Sequence, residues 1–575
     1  MKKTLKKRGQ KFIRNFSRLS RRAEAESKEH IKEIFFDRLS HITSIRLLIF
    51  EWGLLMLALI LLGVTQAIWF GNSYSSSAFS DGGTYTEGTI GKVSSLNPLF
   101  ASTESEKTLS RLLFSTITTI DYSGHVANGL AESITTADKG RTWTMTLKPG
   151  LKWSDGEPIT NEDVLFTTSL IKNSAVTSSY NSNLSGVKVS ETEDGKIKFS
   201  LPTAYADFAS VLNIPLIPKH VFGDTAPQNI IEHSFSTNPI TSGAFTLNAI
   251  QNSGSEKVIY LSANDKYYRG TPRLSSFAVH TYSDKTSLID ALNSGAISAT
   301  ASIPPSDINL VTSSNIREKQ TAISSGVYAF LNSSKLSNRD LRRTIKQALD
   351  LEKIREAAPN QTPLDYPLTD LQIKVKDYPA TIAYDREAAE AKLNPLVNSE
   401  NGLTLNIVTV DSGYLPAVTN AIAEELRLYG INVNVSVYSE NQEFVSSIVS
   451  KRNYDILVYS IELGAEPDIF AYYHSSQASE SGLNLSNYKN TLIDDLILGA
   501  RENTDTALRI AKYQSFLSYW VNDVPAIGIY QPNISYFYNK NIQTFSDNNR
   551  LITALDRFTD VNFWASKKSS KNLTP

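Results

Sequence analysis

An unbroken apolar run near the N-terminus is the strongest constraint on this 575-residue chain. The run, Trp52–Phe70, contains 19 residues and no charged side chain. About 20 apolar residues span the hydrocarbon core of a bilayer, whereas a globular helix of this length carries a polar stripe. Trp52 and Trp69 also stand at the spacing of the two membrane interfaces. The run therefore predicts one transmembrane helix within residues 47–70.

The charges on either side of this run predict its orientation. Residues 1–46 hold 14 Lys or Arg and 5 Asp or Glu, whereas residues 71–83 hold no Lys or Arg. Because basic flanks stay on the cytoplasmic side, we expect a basic cytoplasmic arm at 1–46, a flexible linker at 71–83 and an extracytoplasmic remainder. A cleaved signal peptide is the alternative, but the long leader and the long apolar run favour an uncleaved anchor.

The remaining composition argues against several kinds of chemistry. The sequence contains no Cys, which removes disulfides, thiol catalysis and Cys-ligated metal centres. Its seven His residues show neither H-x-x-x-H nor H-E-x-x-H spacing, and no phosphate-binding loop or dinucleotide fingerprint occurs. Outside residues 1–46 the net charge is −10, which gives no electrostatic basis for binding nucleic acid. We therefore predict no cofactor, no metal and no nucleic-acid partner.

Residues 84–566 alternate strand and helix patterns, which indicates an α/β fold. One stretch shows a strand pattern at 404–410, a helix pattern that ends at Gly430, and a second strand pattern at 431–438. A βαβ unit of this kind requires parallel strands. The polar residues 567–575 are expected to form a disordered tail.

The most informative segment is 142–166, with the sequence TWTMTLKPGLKWSDGEPITNEDVLF. It predicts a strand that ends in a Pro-Gly turn, a short return that carries the apolar Trp153, and a helix capped by Thr160. Thr103 and Ser337 are expected to cap helices in the same way. Each of these features is scaffold, and nothing in the segment is obviously catalytic.

This segment resembles the extracytoplasmic solute-binding proteins of ABC transporters, family 5, which includes oligopeptide, dipeptide and nickel binders. Further motifs of that family follow in the same order along the chain. They are SLNPLF (95–100), GLAES (129–133), TSGAFTL (241–247), LSANDKYYRGTPRL (261–274), LSNRDLRRTIKQALDLEKI (336–354) and AYDREAAEAKL (383–393). The resemblance covers nearly all of residues 84–566.

The resemblance implies a two-lobe clamshell, the type II periplasmic-binding-protein-like fold with an extra subdomain. Lobe I would comprise residues 84–320 and 526–566, and lobe II would comprise residues 321–525. Two strands that cross near 318–328 and 520–530 would form the hinge. The lobes would close on a peptide-like solute and deliver it to an ABC permease in the membrane, so the protein would not be an enzyme.

The resemblance also implies positions for the ligand. Peptide-binding members pair the α-amine of the ligand with an acidic residue, and here that position falls at or near Leu463, with Glu462 as a possible substitute. Tyr459 begins the same stretch. Val93, just before the SLNP motif, and Tyr328, at the hinge exit, are the other candidates for the cleft. Ordinary packing is the alternative for each of them.

Three other interpretations remain open. The tetrapeptide Ser169–Lys172 and the tripeptides at 546–548 and 285–287 resemble the motifs of an anchored serine hydrolase of the penicillin-binding type, but the third motif precedes the second. Nickel could be the ligand, and the protein could instead be a sensor that signals through the cytoplasmic arm. The predicted protein is thus a single-pass cell-membrane protein with partners in the bilayer (through residues 47–70), a peptide or other solute, and a permease.

Overall fold

The computed structural model describes residues 42–76, 79–253, 256–400, 402–439, 441–546, 549–567 and 571–572. The chain divides into two units, Met1–Ala78 with Ser569–Pro575, and Phe79–Lys568. Most of the predicted cytoplasmic arm and most of the predicted tail lie outside the described residues.

The α-helices of the described residues are α1 Ile42–Tyr74, α2 Glu104–Leu113, α3 Asn161–Lys172, α4 Phe208–Val211, α5 Lys219–Phe222, α6 Lys285–Ser294, α7 Arg339–Ala348, α8 Leu351–Arg355, α9 Arg386–Val397, α10 Leu415–Arg427, α11 Gln442–Phe444, α12 Phe470–Tyr473, α13 Thr491–Arg501 and α14 Thr506–Asp523. Short 3-10 helices include Pro305–Leu310 and Ala554–Phe563.

The strands are β1 Ser75–Ser76, β2 Phe79–Ser80, β3 Thr84–Ile90, β4 Thr118–Ile120, β5 Val126–Asn128, β6 Ala131–Thr136, β7 Thr142–Leu147, β8 Lys188–Glu191, β9 Ile197–Ser200, β10 Phe245–Ser253, β11 Glu256–Ala263, β12 Ser276–Tyr282, β13 Ala299–Thr300, β14 Ile316–Ala322, β15 Ser325–Leu331, β16 Thr362–Pro363, β17 Thr404–Val410, β18 Asn432–Tyr438, β19 Ile456–Glu462, β20 Ala526–Gln531, β21 Asn533–Asn539, β22 Ile542–Gln543, β23 Ala565–Lys567 and β24 Lys571–Asn572.

The N-terminal unit is dominated by the 33-residue helix α1. Its large apolar side chains between Phe50 and Val64 are exposed. The helix continues through Tyr74, so residues 71–74, predicted as linker, are helical. Over the residues that the structure describes, no helix is long and apolar enough to cross a membrane.

A seven-stranded sheet organises the first core of the unit Phe79–Lys568. Its strand order is β10-β11-β12-β3-β13-β21-β14, with β12, β3 and β13 parallel and the other neighbours antiparallel. A four-stranded antiparallel sheet, β6-β7-β9-β8, packs into the same apolar cluster with helices α2 and α3. We call this cluster, with both sheets, the seven-stranded core.

A six-stranded sheet, β16-β20-β15-β19-β17-β18, organises the second core. Strands β17 and β18 are parallel and joined by α10, which confirms the predicted βαβ unit. Gly430 ends this connection with φ of 78°, a backbone conformation that favours glycine. We call this cluster the six-stranded core.

The chain crosses between the two cores between β14 and β15, and again between β20 and β21. The two crossings lie together, because Ile323 N donates to Pro532 O at 3.0 Å and Gln531 Nε2 donates to Ile323 O at 2.8 Å. Strand β20 pairs with β15 and therefore belongs to the six-stranded sheet. The strand pairing thus places the two crossings at residues 323–324 and 532.

A buried ion pair joins the first strand of the seven-stranded core to the C-terminal region. Arg557 Nη2 lies 2.6 Å from Glu87 Oε1, and the two side chains are 1% and 0% exposed. Tyr536 OH donates to the other Glu87 oxygen at 3.1 Å. Burial raises the pKa of Glu87 and the facing Arg557 charge opposes this rise. The Arg557 guanidinium is thus the counter-charge that offsets the cost of burying a charged Glu87 carboxylate in this core.

We expect Arg557→Met to lower the free energy of unfolding by about 3–5 kcal/mol, because it strands the Glu87 carboxylate without a counter-charge. Urea unfolding followed by Trp fluorescence measures this loss. Adding Glu87→Gln should restore most of it. Arg273→Met, which breaks the surface pair with the 80%-exposed Asp81, is the control and should cost less than about 1 kcal/mol. Equal losses for Arg557→Met and the control would contradict the assignment.

Candidate ligand-binding cleft

The carboxyl ends of β17, β18 and β19 meet at one edge of the six-stranded sheet, because these strands are parallel. Glu462, at the end of β19, pairs with Ser325 at the start of β15, next to the crossing segments. In open α/β sheets, ligands bind outside the carboxyl ends of the strands. We call residues 411–414, 438–439 and 459–464 the carboxyl edge.

Aromatic side chains cluster at the carboxyl edge. The ring centroids of Tyr438 and Phe444 are 5.7 Å apart, and those of Phe444 and Tyr459 are 6.2 Å apart. Phe444 is buried, whereas Tyr459 is half-buried and Tyr438 is exposed. The buried ring of Phe444 packs against the more accessible rings of Tyr438 and Tyr459, so this edge presents an ordered aromatic surface.

One residue of the carboxyl edge lies within electrostatic range of the segment between β13 and β14. Tyr414, just before α10, is half-buried, and burial together with the negative charge of Asp307 raises its pKa. Asp307 belongs to the 3-10 helix Pro305–Leu310 and is paired with Lys285 Nζ at 2.6 Å. Asp307 is thus the acidic group whose charge reaches Tyr414 at this edge.

The loop before α2 is held in shape by one carboxylate. Glu106 accepts backbone hydrogen bonds from Ser94, Ser102 and Thr103 at 2.8, 3.0 and 3.2 Å. Burial alone would raise the pKa of Glu106, but these hydrogen bonds outweigh it and lower the pKa below its usual value. The Glu106 N–H in turn donates to the Thr103 hydroxyl, which completes the capping box expected from the sequence.

The four site residues named from the sequence differ in accessibility. Val93 is buried, and its carbonyl accepts from Lys257 Nζ at 2.7 Å. Tyr328 is fully buried, and its hydroxyl donates to Tyr366 O at 3.0 Å. Tyr459 is half-buried and Glu462 is exposed. Side-chain surface is thus available at Tyr459 and Glu462, whereas the side chains of Val93 and Tyr328 pack inside.

Leu463 offers no polar group where the resemblance implies an amine-binding acid. It is buried, its N–H donates to Ser324 O at 2.8 Å, and its carbonyl accepts from Gln372 Nε2 at 2.6 Å. The exposed carboxylate next to it belongs to Glu462. The carbonyl of Glu462 accepts from Tyr472 OH at 2.6 Å, which fixes the backbone at this position.

The segment 142–166 is scaffold in the structure. Trp153 is fully buried, and its Nε1 donates to Asp163 Oδ2 at 3.3 Å. The other oxygen of Asp163 accepts from Lys219 N at 2.8 Å, and Asp163 also completes a capping box with Thr160. This single buried carboxylate ties the turn to two helices.

Several residues that bridge the two cores were not foreseen from the sequence. Asp207 contacts Arg509, which is 302 positions away, and the Ala206 N–H donates to Arg501 O at 2.8 Å. Ile120, Ala465 and Ile552 form a small apolar cluster nearby. No local motif signals these contacts, since each depends on how distant parts of the chain meet.

A cavity of about 320 Å³ lies among residues of the seven-stranded core. The basic side chains that line it already have partners within the protein. Lys148 Nζ donates to the Gly129 carbonyl and lies over the Tyr268 ring, and Arg269 pairs with Asp560 at 3.5 Å. These contacts make the cavity a less favourable ligand site than the carboxyl edge.

The hydrolase and nickel interpretations gain no geometric support. Ser169 is exposed on α3, with its hydroxyl bonded to Phe166 O at 2.7 Å, and Lys285 is paired with Asp307. Among the described residues, no group of three or more His, Asp or Glu side chains could hold a metal ion.

Comparison with known proteins defines the class. The family model for bacterial extracellular solute-binding proteins, family 5, matches residues 125–482, more than half of the chain. The oligopeptide-binding protein AppA of Bacillus subtilis (strain 168) is 24% identical over 504 residues, 81% of this chain and 89% of AppA. The protein is thus an α/β solute-binding protein with the periplasmic-binding-protein-like fold.

Solved structures agree with this fold. The AppA structure in complex with a nonapeptide has a TM-score of 0.68, 23% identity and covers 85% of this chain and 100% of that one. The ABC transporter substrate-binding protein CtaP from Listeria monocytogenes has a TM-score of 0.73, 24% identity and the same coverage. The chain belongs to family 5 of the bacterial extracellular solute-binding proteins, whose members are binding proteins of ABC importers and not enzymes.

We expect Glu106→Gln to destabilise the protein by about 1.5–3 kcal/mol at pH 7, because charge-assisted hydrogen bonds to three backbone N–H groups are weakened. The pKa of Glu106 is lowered from 4.5, so its contribution is present above that value and is lost as pH falls through the lower folded pKa. Urea unfolding at pH 7 and in acid should show the difference from wild type shrinking in acid. The exposed Glu443→Gln is the control, and an equal loss there would contradict this role.

Proposed function

We propose that this protein is a membrane-anchored extracytoplasmic receptor that captures a peptide-like ligand between two lobes and passes it to an ABC permease. Family membership carries the proposal, together with a carboxyl edge whose Tyr414 lies within electrostatic range of Asp307, which precedes β14 of the seven-stranded sheet. The nonapeptide in the related AppA structure supports a peptide as the ligand class.

The proposed lobes are the two cores, and the paired crossing segments at 323–324 and 532 are the proposed hinge. Only a short piece of backbone would need to change at each crossing for the lobes to open. Their mutual hydrogen bonds, such as Ile323 N to Pro532 O, would keep the two crossings moving together.

The proposed ligand contacts lie at the end of β19 and around the loop before α2. The ring of Tyr459 would pack against an apolar ligand side chain, and the exposed Glu462 carboxylate would pair with a positive group such as an α-amine. Tyr328 is paired directly with Tyr459 across β15 and β19, so it would support that ring from within the sheet. Val93, which the resemblance places in the cleft, would help to shape the loop before α2 through the hydrogen bond from Lys257 Nζ to its carbonyl.

A peptide pool should raise the melting temperature of the full-length protein in detergent. Ligand at 100 times its dissociation constant stabilises the native state by about 2.7 kcal/mol. We expect Glu462→Gln to weaken the response to peptides with a free N-terminus, while N-acetylated peptides respond equally with both proteins.

The exposed Glu480→Gln is the matched control and should respond like wild type. A melting temperature that no peptide pool changes would overturn the proposed ligand class.

We also propose that residues 47–70 anchor the protein in the cell membrane, with residues 1–46 in the cytoplasm. The support is the uncharged run Trp52–Phe70 and the row of exposed apolar side chains on α1, which water solvates poorly. An anchored receptor would keep its cleft close to the permease.

Arginine at the centre of this run should detach the protein from the membrane. We expect Leu57→Arg with Leu61→Arg to shift the protein into the carbonate-soluble fraction, because each central Arg costs about 2.5–3.5 kcal/mol on insertion. Leu57→Phe with Leu61→Phe should leave it in the pellet. Carbonate-soluble wild-type protein would refute the anchor.

A further inference from the structure

One polar cluster spans the two cores beside the carboxyl edge. We define the bridging cluster as Tyr205 and Asp207 from the seven-stranded core, and Glu466, Arg501 and Arg509 from the six-stranded core. Glu466 follows β19 by four residues, so the cluster lies at the edge where the proposed lobes meet.

An arginine sandwich forms the first half of the bridging cluster. The Arg501 guanidinium lies 4.5 Å from the ring centroid of Tyr205 and 4.5 Å from that of Phe470. Tyr205 packs against the seven-stranded core and Phe470 against the six-stranded core. Asp468 Oδ2 lies 3.3 Å from Arg501 Nε and balances its charge. The cation is thus held between rings from both cores.

Two carboxyl groups and one guanidinium form the second half. Arg509 forms an ion pair with Asp207, and the two side chains are 12% and 6% exposed. The Glu466 carboxyl is hydrogen-bonded to the same Asp207 carboxylate. Two carboxylates in one buried site repel each other, so one of them must hold a proton. Since Asp207 contacts Arg509 directly, we place this proton on Glu466.

We propose that the bridging cluster is a proton-dependent latch, in which the Glu466 carboxyl donates its proton to Asp207 and thereby holds the two lobes closed over the ligand. The proposal rests on the proposed function, because it requires lobes that open and close. It assigns to Glu466 a role in regulating ligand retention.

The electrostatics give the latch its direction. Burial, followed by the charge of Asp207, raises the pKa of Glu466 from 4.5 to about 7, against the opposing charge of Arg509. When the lobes separate, water would return the pKa to its ordinary value. The closed state therefore binds a proton that the open state releases, so closure is strongest in mild acid and weakens as pH rises through about 7.

The other ionisable groups facing the cluster do not supply this titration. The pKa of Tyr205 and that of Tyr513 are raised by burial, which keeps both phenols neutral across this range. The pKa of Arg509 is raised, with the Asp207 charge outweighing its burial, so it stays charged. Asp468 faces Arg501 as its counter-ion.

Distance measurements between spin labels test the latch in the full-length protein in lipid nanodiscs. The chain contains no Cys, so labels attach only to Glu193→Cys, between β8 and β9 of the seven-stranded core, and Lys489→Cys, next to Tyr488 of the six-stranded core, both exposed positions. We expect the closed-to-open ratio to fall about tenfold or more from pH 5.5 to pH 8.5. The amide introduced by Glu466→Gln can donate a hydrogen bond but does not titrate. The closed-to-open ratio of this variant should therefore be the same at both pH values and equal to the wild-type ratio at pH 5.5.

Glu480→Gln is the matched control and should keep the wild-type pH dependence. If Glu466→Gln fails to fold, Asp207→Asn serves instead, since removing one carboxyl should also abolish the pH dependence. Equal pH dependence in wild type and Glu466→Gln would overturn the latch, as would no pH dependence in wild type. If the latch fails but a peptide pool still shortens the distance between the labels, the proposed function survives. A label distance that neither pH nor peptide changes would overturn both the latch and the proposed function.

Discussion

The buried pair of Glu87 and Arg557 is the interaction on which the fold of the unit Phe79–Lys568 depends. It joins β3, the central parallel strand of the seven-stranded sheet, to the C-terminal 3-10 helix, and Tyr536 on β21 completes its hydrogen bonds. The six-stranded core is inserted between β14 and β21, which are neighbours in the seven-stranded sheet. If the seven-stranded core did not assemble, the two crossing segments would have no ordered strands from which to continue.

The carboxyl edge and Glu466 of the bridging cluster both lie at the carboxyl end of β19. Parallel β17, β18 and β19 bring their carboxyl ends together; β19 ends at the exposed Glu462, and the loop after it carries Glu466, which is half-buried at the bridge. Two carboxyl groups four residues apart thus have different environments and different proposed roles. One would meet the ligand, whereas the other would sense whether the two cores are in contact.

Local signals in the sequence predicted local structure well. The parallel pair β17 and β18 and the capping boxes at Thr103 and Thr160 are present as expected. The cap of α7 was predicted one residue too early, because Asn338 and not Ser337 accepts the N–H groups of Asp340 and Leu341. The π-helical turn Val445–Val449 was not foreseen, since its wider hydrogen bonding leaves no clear trace in the apolar pattern.

The bridging cluster depends on pairs such as Asp207 and Arg509, 302 positions apart, which no spacing rule reveals. The family resemblance could indicate the end of β19 but not which of its side chains would be accessible.

The separation of Glu87 from Arg557 along the chain also bears on how the protein is made. The two residues are 470 positions apart, so the acidic strand leaves the ribosome long before its counter-ion does. Until then, β3 has no means of burying its carboxylate, while the inserted core between them has its complete sequence and can fold first. Export of the chain would therefore present a half-built sheet to the outer face of the membrane, at the stage when protection by a chaperone would matter most.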